Sequence, residues 1–100
     1  MDLGHDRALF GISVAAELTG VNAQMLRTYE AKGLLEPSRT DGGTRRYSQG
    51  DLTRVSRISS LLDDGLNLAG IAQVLALEAE TRRLRDKVYR LEDRLRRKQS

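Results

Sequence analysis

The chain has no cysteine and no tryptophan, and only one proline, one phenylalanine and one histidine among 100 residues. Without cysteine there is no disulfide, no thiolate metal site and no thiol redox sensor. The single histidine, His5, stands in an unpatterned N-terminal stretch and reads as a solvated residue rather than a ligand, so no metal and no cofactor are expected. No apolar run approaches the ~20 residues needed to cross a bilayer, and residues 1–10 lack a signal-peptide core. The expected compartment is the cytoplasm. So small and aromatic-poor a chain can build a modest helical core but leaves little scaffold around a deep pocket. An enzyme is not expected: there is no Ser/His/Asp set, and Gly42-Gly43 is too short to cradle a phosphate as a P-loop does.

What the chain does have is charge. It carries 17 basic and 14 acidic residues, formally +3. That net value is weak evidence, but its distribution is informative. Residues 21–60 hold seven basic against four acidic residues, and residues 76–100 hold nine against five. The first twenty residues instead set Arg7 against Asp2, Asp6 and Glu17. Two separate basic segments fit a polyanionic partner such as nucleic acid.

Residues 1–10 show no periodicity and read as a flexible leader. Ser13 is placed to cap a first helix, with Val14, Ala15 and Leu18 on one face and Gly20 as its exit. Asn22 caps a second helix to about Lys32, stopped by Gly33. Pro37 disfavours α geometry at Glu36. Arg39 to Thr44 then reads as a turn, and Arg45-Arg46-Tyr47 as a returning strand. Ser48 and Asp51 form a capping box for a third helix, with Leu52, Val55, Ile58 and Leu62 inward and Arg54 and Arg57 outward. Gly65 ends that helix and Asn67 can cap a fourth, where Ile71, Val74 and Leu75 continue the core. No glycine or proline follows Gly70, so one long helix, or two in close succession, runs to the C-terminus. The domain reading is a leader at 1–10, a helix-turn-helix with a wing at 11–75 and a helical extension at 76–98.

On the second helix Gln24, Arg27, Thr28 and Ala31 share one face, with Asn22 at its start. An amide, a guanidinium and a hydroxyl on an exposed helix can address base edges in a major groove, although an ordinary surface helix is the commoner explanation of such a face taken alone. The wing shifts the balance. Gly42 and Gly43 permit positive φ and close approach to a backbone. Arg45 and Arg46, adjacent on a strand, point to opposite sides, while Tyr47 can offer a hydroxyl as its ring packs. A solvated edge strand that deters aggregation is the bland account of the Arg pair.

The motifs Ile12-Ser13-Val14-Ala15-Ala16, Leu26-Arg27-Thr28-Tyr29-Glu30, Gly33-Leu34-Leu35-Glu36-Pro37 and Gly43-Thr44-Arg45-Arg46-Tyr47-Ser48, in that order, resemble the winged helix-turn-helix domain of the MerR family. Within it, those stretches and Gly65–Leu75 look most like the heat-shock repressor (HspR) subgroup. The resemblance implies a mainly α fold, a small β-hairpin wing and a C-terminal helix paired as an antiparallel coiled coil. It implies phosphate contacts from Arg27, Tyr29, Arg45 and Tyr47, with Asn22, Ala23, Gln24 and Thr28 facing the groove. Arg39, Gly43, Thr44 and Arg46 complete the expected DNA surface. Met25 departs from the commoner family pattern. Relatives in the subgroup use the chaperone DnaK as co-repressor, so a protein partner is the expected control rather than a small ligand.

Leu77, Leu84 and Leu91 recur at seven, and Thr81, Val88 and Leu95 form a second row, which is a heptad seam for homodimerisation. An amphipathic helix folded onto its own domain is the competing account. The expected function is a dimeric, sequence-specific regulator, a repressor of stress genes bound to an inverted repeat in promoter double-stranded DNA. The alternatives are an activator that distorts its promoter, an architectural or excisionase-like factor, and a coiled-coil module whose wing binds protein.

Overall fold

The computed structural model describes residues 9–99. Seven elements follow in order: β1 (Leu9–Phe10), α1 (Ile12–Thr19), α2 (Ala23–Ala31), β2 (Ser38–Arg39), β3 (Arg45–Ser48), α3 (Gln49–Asp63) and α4 (Leu68–Gln99). Contacts divide the chain at Leu68/Ala69 into two compact units. The boundary expected at 75/76 thus falls inside one unbroken helix.

In the first unit α1 and α3 pack on β3 of a small antiparallel sheet of order β1-β3-β2. The wing hairpin pairs Ser38 with Arg46 and Arg39 with Arg45. Arg39 is thus a strand residue, and the turn is confined to residues 40–44. The third strand was not legible in advance. Leu9 pairs with Ser48 and Phe10 with Tyr47, so the last two residues of the expected leader belong to the sheet. Residues 1–8, including His5, lie outside the described residues. This pairing also moves the start of α1. The chain leaves β1 through Gly11, which is extended and is the N-cap without a side-chain bond. Ser13 therefore sits in the first turn, not at the cap.

The other helix ends follow their sequence signals. The Asn22 side chain accepts from the Met25 N–H at 2.8 Å. Gly33, at φ +75, closes α2 with a Schellman motif: its N–H donates to the Glu30 carbonyl and that of Leu34 to the Tyr29 carbonyl. Only glycine takes that left-handed turn without crowding a Cβ. At α3 the Asp51 N–H donates to Ser48 Oγ at 3.0 Å and the Ser48 N–H to Asp51 Oδ2 at 2.8 Å, a complete capping box.

Ala15, Leu26, Tyr29, Leu34, Leu35, Tyr47, Leu52, Val55, Ile58 and Leu61 form the buried core of this unit. Each large apolar side chain so buried contributes about 1.5–3 kcal/mol. Two expectations about facing are corrected. Leu61, not Leu62, is the fourth buried position of α3, because the 3, 3, 3 spacing from Leu52 through Val55 and Ile58 continues to 61. On α1 only Ala15 is buried, whereas Val14 and Leu18 are exposed, because so short a helix presents one narrow stripe to the core. Arg54 is exposed, yet its Nε donates to the Leu34 carbonyl at 2.5 Å, which ties α3 to the segment after α2.

The second unit is α4 from Ala69 onward, a single helix and not two. Ile71 and Leu75 in its first turns are buried, and Val74 is half-buried. No described helix is both long and apolar enough to cross a membrane.

Replacing Ser48 with Ala removes one arm of the capping box and should cost about 1 kcal/mol of stability. Urea unfolding followed by circular dichroism reads this as a lower midpoint at unchanged slope; an unchanged midpoint would contradict the cap's role.

Candidate nucleic-acid interface

Gln24 and Arg27 are exposed on α2, and Ala23 and Thr28 are half-buried beside them. Asn22, also exposed, commits its carbonyl oxygen to the cap and leaves its amide nitrogen to donate outward. The Thr28 hydroxyl donates to the Gln24 carbonyl at 3.0 Å, so what it offers outward is an acceptor lone pair. The fixed cap and the helix backbone hold these groups in one row.

The wing turn holds itself together. Its bonds run from Thr40 N–H to Thr44 O at 2.9 Å, Gly43 N–H to Thr40 O at 2.9 Å and Thr44 N–H to Thr40 Oγ1 at 3.1 Å. Gly43 has φ +87 and meets the expectation for a positive-φ glycine. Gly42 does not, since its φ is not positive. Gly43 and Thr44 are exposed at the tip.

Arg45 and Arg46 do point to opposite sides. The Arg46 guanidinium reaches back toward Gly11, its Nη1 about where a Cβ on that glycine would touch it at 3.4 Å. Arg45 turns to α2, where its Nε donates to Glu30 Oε1 at 2.6 Å. The second oxygen of the same carboxylate, Oε2, accepts from Arg39 Nη2 at 2.8 Å, and Arg39 Nη1 donates to the Gly43 carbonyl at 2.9 Å. Glu30 thus clasps both wing strands to the helix that carries the reading face. Sequence reasoning missed Glu30 as a functional residue. A signal was available: a lone carboxylate on a helix expected to meet phosphates has to be neutralised by something.

The hydrogen bond from Arg45 is the largest influence on Glu30 and holds its carboxyl below the ordinary value, with Arg39 acting in the same direction against partial desolvation. The same bond raises the Arg45 guanidinium above its ordinary value.

The two tyrosines behave differently from expectation. Tyr29 is 2% exposed and Tyr47 is 0% exposed. Both are core residues in this conformation, and the Tyr47 hydroxyl is buried without a hydrogen-bond partner. Burial, the largest influence, raises the Tyr47 phenol above its ordinary value, so it remains a neutral donor. A phosphate contact from Tyr47 has no exposed atom to make it here, because alternation along β3 turns residue 47 inward beside Phe10.

On α4, Leu77, Leu84, Val88, Leu91 and Leu95 are all exposed, by 45 to 66%. The Thr81 hydroxyl donates to the Leu77 carbonyl at 2.8 Å and so hides its proton in the helix. The seam expected from the heptads is one continuous exposed stripe. Tyr89, which the seam does not include, is 67% exposed. The flanks carry solvent-exposed intrahelical pairs, Arg83 with Glu80 and Arg97 with Asp93.

Residues 10–78 match the family model described as MerR HTH family regulatory protein. The chain is 40% identical to the heat shock protein HspR of Streptomyces coelicolor over 91 residues, covering 90% of this chain and 60% of that one. It is 43% identical to the HTH-type transcriptional regulator GlnR of Bacillus anthracis over 70 residues, covering 70% of this chain and 54% of that relative. The chain therefore spans little more than half the length of these relatives. The crystal structure of HiNmlR, a MerR family regulator lacking the sensor domain and bound to promoter DNA, superposes with a TM-score of 0.63 at 25% identity, covering 88% of this chain and 79% of that one.

The depressed Glu30 carboxyl sets a sign for pH. The stability it supplies is present above the ordinary carboxylate range and is lost as pH falls through its lowered folded-state value. Urea unfolding from pH 7 into acid should show the wild type losing its margin over Glu30→Gln; a margin independent of pH would contradict the ion pair's contribution.

Proposed function

Because the chain belongs to the MerR family of helix-turn-helix regulatory proteins, we propose that it binds duplex DNA as a homodimer and represses stress genes from an inverted repeat in their promoters. The observation that carries this reading is the clasp: exposed Asn22, Gln24 and Arg27, with half-buried Thr28 beside them, and the basic wing are joined through Glu30. In this reading α2 enters the major groove, where Gln24 and Arg27 address base edges. Arg45 and the backbone at Gly43-Thr44 meet flanking phosphates, which position the protein without reading sequence.

Dimerisation would run along Leu77, Thr81, Leu84, Val88, Leu91 and Leu95. An exposed apolar stripe of this length is costly in water and is relieved by a second copy of itself. The antiparallel arrangement is the one the family resemblance implies. A two-fold dimer presents two reading heads to half-sites about one helical turn of DNA, or a multiple of it, apart. The stress-gene assignment is supported by the HspR relative, which matches 90% of this chain. A chaperone co-repressor of the DnaK type rests on the same likeness, and no residue of this chain is assigned to it.

Arg45→Ala should weaken binding to specific and non-specific duplexes alike and reduce the salt slope of the binding constant by about one. Fluorescence anisotropy across a salt series measures both, and unchanged affinity with unchanged slope would remove the wing from the interface. Lys at both 84 and 91 should give a helical monomer that binds an inverted repeat poorly. Sedimentation that still returns the dimer mass would overturn the seam.

A further inference from the structure

We infer that Glu30 is a positioning residue for DNA binding, fixing the Arg45 guanidinium for phosphate while Arg39 serves as the brace rather than as a contact. This rests on the proposed DNA reading and adds to it a residue that touches no DNA itself.

The argument starts from counting donors. A guanidinium has five N–H groups in a rigid plane. Arg45 spends its Nε on Glu30, which leaves the two terminal nitrogens at the outer end of the fork. Arg39 spends one terminal nitrogen on Glu30 and the other on the Gly43 carbonyl, so both tips of its fork are already engaged within the protein. The two arginines face each other across the hairpin as the Arg39–Arg45 register pair, and like charges directly opposite destabilise a ladder. One carboxylate with an oxygen for each removes that conflict.

The placement of a carboxylate here is otherwise unfavourable, because it repels the phosphates the surface would meet. The cluster of two guanidinia and one carboxylate is still net positive, and the charged state of Glu30 is favoured by its arginine partners. What the carboxylate provides is order. An arginine free to sample its rotamers loses that freedom on binding, whereas one already held has less to lose. Glu30 also lies on α2, three residues after Arg27 in the chain. The Arg45 fork is therefore indexed to the helix that carries the reading face, and not only to the wing. Glutamine cannot replace it, since its side chain has one acceptor oxygen where two arginines need one each.

The test is anisotropy with a fluorescent duplex, across salt, for wild type, Glu30→Gln, Arg45→Ala, Arg45→Lys, Arg39→Gln and the Glu30→Gln/Arg45→Ala double variant, with thermal melts alongside. Glu30→Gln is expected to weaken binding roughly tenfold, the cost of ordering one long side chain on binding. This should happen although the substitution makes the protein more positive, and the salt slope should stay as in wild type. The double variant should bind no worse than Arg45→Ala alone. Arg45→Lys, which keeps the charge but not the fork, should weaken binding to a similar extent even if Glu30→Gln proves too unstable to assay. Arg39→Gln should lower the melting temperature and leave the salt slope unchanged.

Glu30→Gln binding as well as or better than wild type, while Arg45→Ala is weakened, would overturn the positioning role alone. So would a full additive loss in the double variant, or a salt slope lowered by Arg39→Gln. Unchanged affinity and slope in Arg45→Ala would instead overturn the DNA reading, and this inference with it.

Discussion

One carboxylate with a guanidinium on each oxygen is the interaction on which the reading surface depends. Glu30 stands near the end of α2, and the two arginines it holds stand on different strands of the wing. That junction adds a direct side-chain link between α2 and the hairpin, which otherwise meet through the core that buries Leu26, Tyr29 and Tyr47. With it, a short helix and a two-stranded turn act as a single body. The pair is partly exposed, with Glu30 at 22% and Arg45 at 28%, so its worth to global stability is modest. Its consequence is geometric: it links both wing strands directly to α2.

The rest of the first unit supports that junction. Asn22 and the Schellman turn at Gly33 fix both ends of α2, and Leu26 and Tyr29 anchor its inner face. β3 is paired with β2 at Arg45 and Arg46 and with β1 at Tyr47 and Ser48, so the strand that offers Arg45 is anchored along its whole length. Tyr47 on the same strand packs inward, and the alternation that buries it is the one that turns Arg45 toward Glu30 and Arg46 toward Gly11.

Much of this was legible in the sequence wherever a local rule operated. Caps at Asn22 and Ser48, stops at Gly33 and Gly65 and the heptads from Leu77 onward are short-range chemistry, and the helices follow them. What was not legible depended on partners distant in the chain. β1 is two residues long and exists only because β3, nearly forty residues later, presents an unpaired edge. Glu30 reads as one more surface charge until residues nine and fifteen positions away are seen to converge on it. Tyr47 was expected to pack its ring and offer its hydroxyl to phosphate, and the burial of that hydroxyl as well is a matter of tertiary packing. The seam of α4 was legible as a pattern, and its leucines and valine are exposed in one chain.

The central claim is that α2 and the wing meet DNA as one surface. Backbone amide NMR, titrating the full chain with a duplex selected from a random pool, tests it most directly. The account predicts that Gln24, Arg27 and residues 40–46 shift together and saturate at one DNA ratio. Shifts confined to the basic end of α4, Arg94 to Lys98, with α2 and the wing unmoved, would contradict it.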